Sequence, residues 1–144
     1  MLIRATLVQE RGIENLSWTL NEFGVPTLLK FPAKLAFGRK ASSAMWKHGI
    51  GRHSQEEIHS IATDDIRACS SFLGNKQFFM GDKPSVIDAV MFGFFAEMAY
   101  AMPPGSWVTR LVTEDFKNLK DYCERMKEKY WPDWDSKLRQ ATPK

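Results

Sequence analysis

The stretch from Val86 to Ala96 constrains the fold more than any other part of the chain. Ten of its eleven residues are apolar or glycine, and the exception is Asp88. A helix that is apolar on every side is buried on every side. The longest unbroken apolar run is Ala89 to Ala96, and a bilayer span needs about 18 residues or more. The expected place is therefore the interior of a globular domain. A carboxylate there is costly unless it is hydrogen-bonded. With Ser85 as N-cap, Asp88 falls at N3: its carboxylate accepts from the Ser85 amide, and the Ser85 hydroxyl accepts from the Asp88 amide. The pair reads as a capping motif and not as a catalytic acid. Pro103-Pro104-Gly105 stops this helix near Met102.

Three further segments have helical period. Ile13, Leu16, Leu20 and Phe23 share one face over 10–23, and Gly24 and Pro26 end it. Ser54-Gln55-Glu56-Glu57 fits a second capping box, with Ser54 and Glu57 as its partners. Ile58, Ile61, Ala62, Ile66, Cys69, Phe72 and Leu73 follow as a core stripe closed by Gly74-Asn75. Phe116, Leu119, Tyr122, Cys123, Met126 and Tyr130 keep the same spacing before Pro132. Between Pro26 and Gly51 the prolines and glycines read as connection, with a short helix at 41–48. No βαβ alternation and no fixed-period repeat is visible, so the fold class is all-α.

Charge and cysteine content bound the function classes. Net charge is +3, yet Lys30 to Arg52 holds six Lys/Arg and no acid. Interleaved Phe31, Phe37 and Trp46 give this stretch a basic and aromatic character that suits an anionic membrane surface or nucleic acid. Glycines and prolines break it and no nucleic-acid motif accompanies it. The expectation is no nucleic acid, no transmembrane segment, and peripheral membrane contact as the remaining possibility. Cys69 and Cys123 form no CxxC, which favours a reducing, cytoplasmic setting. Both lie on apolar faces and read as packing residues. His48, His53 and His59 are spaced five and six apart, not at the i, i+4 of a helical metal pair. Gly49-Ile50-Gly51-Arg52 is too short to cradle a phosphate and reads as a kink. No catalytic residue and no metal site is expected, and substrate-binding residues stay unassigned.

Gly81-Asp82-Lys83-Pro84-Ser85-Val86-Ile87-Asp88-Ala89 resembles the G-D-x-x-(S/T)-x-x-D-A signature that opens the central helix of the glutathione-transferase C-terminal domain. The stretch from Phe116 to Met126 resembles the helix that follows it in that fold. His48-Gly49-Ile50-Gly51-Arg52-His53-Ser54 through Ile58, and Phe72 through Pro84, are similar to the failed axon connections family, which is related to the metaxins. Tyr122 to Met126 and Trp131-Pro132-Asp133-Trp134-Asp135 fit that family's ending. The likeness is strong over 48–135 and weak over 11–47.

This resemblance implies a glutathione-transferase C-terminal-like helical bundle over 1–135 with a buried central helix, then a polar tail at 136–144. In that fold a thioredoxin-like domain precedes the helices, binds glutathione and supplies the activating residue. The chain starts about where the helical domain would start, so that domain is expected to be absent. No cofactor is then expected, and glutathione only with a thioredoxin-like domain alongside. The uncovered face implies a protein partner or homo-oligomer. The first functional expectation is a non-catalytic interaction domain of the failed axon connections type, with an implied role in axon development. The alternatives are the substrate-side half of a glutathione transferase, with Leu16, Trp18 and Leu20 loosely placed near the electrophile pocket, and a metaxin-like component at the mitochondrial outer membrane.

Overall fold

Helices alone make up the regular structure of the computed structural model, which describes Ser17, Leu20, Asn21 and residues 23–102 and 105–137. Among these, extended backbone pairs only in an isolated bridge between Phe78 and Gly81. The order is α1 (Thr27–Lys47), a 3-10 turn (Ile50–Arg52), α2 (Gln55–Leu73) and α3 (Val86–Ala96). The π-turn Glu97–Ala101 extends α3. Then come α4 (Trp107–Arg110), a second π-turn (Leu111–Asp115), α5 (Lys117–Tyr130) and α6 (Trp134–Lys137). The chain divides into two compact units, Met1–Ile66 and Arg67–Lys144.

In the first unit, most of the helix expected over 10–23 lies outside the described residues. Its stop signal is described. Gly24 takes φ +66, its amide donates to the Asn21 carbonyl at 2.9 Å, and the Val25 amide reaches Leu20 at 3.0 Å. Pro26, extended at φ −53 and ψ 140, then caps α1. The short helix expected at 41–48 is the end of a longer one, and the expectation of connection before it is wrong: α1 runs for 21 residues, through Pro32 and Gly38. Pro32 falls in the second turn, where it removes one hydrogen bond. Gly38 costs about 1 kcal/mol relative to Ala. The Leu, Lys, Ala and Arg residues around them are strong helix formers and prevail. Cations and apolar side chains lie on several sides of α1, which left no single stripe to read.

Where α1 ends, Gly49 takes φ +89 and the 3-10 turn folds back on the helix. A Cβ placed on Gly51 would lie 2.8 Å from both the Met45 carbonyl carbon and the Trp46 nitrogen. The Arg52 guanidinium covers the Trp46 ring at 5.5 Å. Farther on in this unit, Ile58, Ala62 and Ile66 of α2 are buried, but Ile61 is exposed and leaves the expected stripe.

In the second unit, Leu73 ends α2 buried, Cys69 is half-buried, and Phe72 is exposed, a second departure from that stripe. Phe72 serves as a cover: it stacks 6.2 Å from Phe79 on one side and meets the Lys76 ammonium at 4.0 Å. Asn118 of α5 closes the end of α2. Its side-chain amide donates to the Ser70 carbonyl at 2.9 Å and the Gly74 carbonyl at 3.3 Å, while its oxygen takes the Ser70 hydroxyl at 2.7 Å.

The core of this unit forms where α3 packs on α5 and the two π-turns pack with α4. Phe79 lies at its centre, stacked 6.4 Å from Phe95 and edge-on to Tyr122 at 5.2 Å. Leu119, Tyr122, Cys123 and Met126 are the buried stripe of α5, while Tyr130 at its end is exposed. The Met98 carbonyl, in the first π-turn, is taken by the Thr109 hydroxyl at 2.8 Å. Trp131 stacks on Phe92 at 4.8 Å, and Trp134 meets the same ring edge-on at 6.1 Å. Of the tail expected over 136–144, Ser136 and Lys137 end α6, and the rest lies outside the described residues.

The all-α class holds, but the central helix is not buried all round. Asp88, Phe92, Phe95 and Ala96 face the core of the unit, while Val86, Ile87, Val90 and Phe94 are exposed. Apolar composition on both sides of a helix says that both sides want cover; in this chain one side receives it.

Candidate interaction surface

The exposed side of α3 is held in place by one carboxylate. Asp88 is fully buried, and each of its oxygens is engaged. Oδ1 accepts the Phe79 amide at 2.8 Å. Oδ2 accepts both the amide and the hydroxyl of Ser85, each at 2.8 Å. The Ser85 side chain in turn receives the Asp88 amide, closing the reciprocal box. The Tyr122 hydroxyl donates to the Asp88 backbone carbonyl at 2.9 Å and lies 3.4 Å from Oδ1. Three pieces of chain thus meet on one side chain: the turn before α3, the start of α3, and the middle of α5.

The electrostatics follow from this geometry. Burial alone pushes the Asp88 carboxyl up. The hydrogen bonds from the Phe79 amide, the Ser85 amide and hydroxyl, and Tyr122 together outweigh it and hold the group below the ordinary aspartate value. Burial first, and then the neighbouring Asp88 charge, raises the Tyr122 hydroxyl, so it stays protonated and a donor. A carboxylate whose lone pairs are taken by fixed donors does not accept a proton from a substrate; its chemistry here is to fix backbone.

Ser54 and Glu57 form the equivalent box on α2. The Ser54 amide donates to Glu57 Oε2 at 2.8 Å and the Glu57 amide to Ser54 Oγ at 3.2 Å. The Ser54 amide is also the main cause that lowers the Glu57 carboxyl. His53 lies beside this box, its Nδ1 3.5 Å from Glu57. His48 ends α1 and His59 lies on α2. Among the described residues, no three His, Cys, Asp or Glu side chains gather as a metal site would require. Cys123 is buried in α5, and burial first, then Glu124, pushes its thiol up to about 12. A thiol so raised is a poor nucleophile.

The surface that this framework presents is apolar. Val86 is 83% exposed, Ile87 46%, Val90 52% and Phe94 45%. Val86, Val90 and Phe94 are four apart, so they form one row about 12 Å long on a straight helix. Ala89 and Gly93, also exposed, add no bulk beside that row. Sequence reasoning found Ser85 and Asp88 but missed Phe79, Tyr122 and this row. A capping motif signals only its own four residues, and an all-apolar helix offers no contrast between its two sides. Elsewhere in the unit a cleft of about 270 Å³ is lined by Gly74, Lys76, Asn118, Asp121 and Arg125. Its polar groups serve the fold: Asn118 closes α2, and the Arg125 guanidinium reaches the carbonyls of Gln77 and Lys76 at 3.4 and 3.5 Å.

Residues 62–126 match the family model of the glutathione S-transferase C-terminal domain. Failed axon connections of Drosophila melanogaster is 38% identical over 113 residues, which are 76% of this chain and 27% of that protein. Isoprene-epoxide–glutathione S-transferase of Rhodococcus sp. (strain AD45) is 35% identical over 82 residues, 57% of this chain and 34% of the enzyme. Human metaxin-1 is 32% identical over 82 residues, 56% of this chain and 17% of that protein. The matched stretch thus spans at most 34% of the length of these three relatives. No solved structure matches the chain significantly.

Proposed function

From a chain that carries the glutathione S-transferase C-terminal domain, in a form related to failed axon connections and the metaxins, we propose a non-catalytic interaction domain. The observation that supports this most is the row Val86, Val90 and Phe94, large apolar side chains left open on a helix whose other side is fixed by Asp88. Apolar side chains grouped on a rigid face mark an interface. The occupant we propose is a second copy of this chain, because like apolar rows meet face to face without charge mismatch. Light scattering across a concentration series tests it. The parent chain grows beyond the monomer, whereas Val90→Glu stays monomeric and melts like the parent at concentrations where the parent too is monomeric, since residue 90 is exposed in the single chain. A parent that remains monomeric at the highest concentration reached removes this reading.

The setting we propose is cytoplasmic; among the described residues no helix is long and apolar enough to cross a membrane. The name of the fruit-fly relative suggests a role in axon development. Likeness to metaxin-1 favours a mitochondrial surface as the competing location, and cell fractionation separates the two.

A second reading rests on the likeness to the bacterial epoxide transferase: this chain as the substrate-side half of a glutathione transferase. Of the three residues placed near the electrophile pocket, Leu16 and Trp18 lie outside the described residues, and Leu20 is half-buried. In the non-catalytic reading the chain takes no cofactor, and glutathione enters only with a thioredoxin-like domain. Calorimetry with glutathione, on this chain joined to a thioredoxin-like domain, decides between them. Binding, followed by turnover of an electrophile, would replace the first reading with the second.

A further inference from the structure

We propose that α1 is a seat for an anionic lipid surface, a site separate from the protein-docking row on α3. Between Thr27 and Lys47 the helix carries five Lys/Arg and no acid. Its large apolar side chains are nevertheless open to solvent, with Leu28 89% and Phe31 77% exposed, and Leu35 and Trp46 also exposed. On a helical projection four of the six, Leu28, Phe31, Leu35 and Trp46, fall within one arc about 60° wide, while the exposed Leu29 and Phe37 lie on other sides of the helix. Along that arc Phe31, Leu35, Gly38 and Ser42 line a groove of about 530 Å³, with Lys34 and Arg39 also lining it. Gly38 and Ser42 have little or no side chain, so the middle of the row is hollow while its ends are aromatic or branched.

This combination selects the occupant. A groove with an apolar floor and cationic rims matches an acyl chain below an acidic headgroup. Lys34 and Arg39 have alkyl stems long enough to lie along apolar surface while their charges stay at headgroup level. Lys30, Lys40 and Lys47 add cations on other sides of the helix, which a curved protein groove would leave unmatched. A charged bilayer surface acts most on Lys34 and Arg39 beside the groove, at about 1 kcal/mol per cation, and less on the cations of the far side.

Flotation of the full chain with vesicles tests this. Phosphatidylcholine vesicles are compared with phosphatidylcholine–phosphatidylserine vesicles, each at low and high salt. The chain is expected to float only with the serine-lipid vesicles and to be released by salt. The double variant K34S/R39S, at exposed or half-exposed positions, is expected to bind about thirtyfold more weakly. Far-ultraviolet dichroism verifies that its helix content is unchanged. The Trp46 contribution, taken as the difference between the parent and W46F, shifts to the blue on binding. Equal flotation with neutral vesicles overturns the proposal, as does a double variant that binds like the parent. Soluble polyglutamate that strips the chain from vesicles at equal charge concentration also overturns it, in favour of an acidic polypeptide. K34S/R39S keeps the light-scattering behaviour of the parent, because both positions lie on α1 and not on α3, so failure here and failure of the docking row on α3 are distinguishable.

Discussion

Asp88→Ala is expected to lower the stability of the 67–144 unit by about 3–5 kcal/mol, the range for stripping the charged partner from a buried polar cluster. The loss comes from what remains behind. The Phe79 and Ser85 amides lose their carboxylate acceptors, and the Tyr122 hydroxyl loses its neighbour. Asp88→Asn keeps the shape but turns an amide donor toward groups that already donate, so it recovers only part of the loss. Urea unfolding of the three proteins measures this; Asp88→Ala within about 1 kcal/mol of the parent, inside the ordinary range for a point change, would show that the hub does not hold the unit. The pH dependence has a definite sign. The folded carboxyl sits below the ordinary value of 3.8. Its contribution is therefore complete well above that value and is lost as pH falls through it toward the folded value. Asp88→Asn lacks this component, and its stability is flatter with pH in the acid range.

The second large effect is expected at Gly51. A methyl group there would overlap the Met45 carbonyl carbon and the Trp46 nitrogen, both backbone atoms of the last turn of α1. Backbone cannot swing aside as a flexible side chain does, so the 3-10 turn must lift or the end of α1 must unwind. Overpacking of this kind costs about 1–3 kcal/mol, and Gly51→Ala is placed at the upper end. Hydrogen exchange is the direct readout. The amides of His48 and Gly49, which bond back to Ala44 and Trp46, lose protection in Gly51→Ala while those of α5 do not. Unchanged exchange at both would contradict the close approach.

How far the sequence carries depends on contrast. Ser54 with Glu57, and Ser85 with Asp88, are legible because a cap changes residue type abruptly at a helix start. The stripe Leu119, Tyr122, Cys123 and Met126 is legible because polar residues alternate with it on α5. α1 is legible only near its end, at 41–48: Pro32 and Gly38 read as breakers, and the Leu, Lys and Ala between them carry no single stripe. The open row on α3 was hidden for the opposite reason. Val90 faces out and Phe92 faces in, and nothing in their chemistry distinguishes them. Tyr122 was placed on its helix face, but its bond to the Asp88 carbonyl joins residues 34 apart, which no local pattern reports. Ile61 and Phe72 show the converse, apolar residues at the right spacing that the fold leaves at the surface.

The reach of Asp88 along the chain also fixes an order of events in folding. It joins Phe79, nine residues before it, and Tyr122, 34 residues after it. Closing the longer loop costs about 1.2 kcal/mol more in chain entropy by the logarithmic law. The turn from Phe78 to Ser85 should therefore gather on Asp88 early, and α5 should dock on an already started helix. Ser85→Ala is then expected to slow folding, whereas Tyr122→Phe chiefly speeds unfolding. Stopped-flow kinetics of the two variants reads this directly, and the reverse assignment would place the docking of α5 before the start of α3.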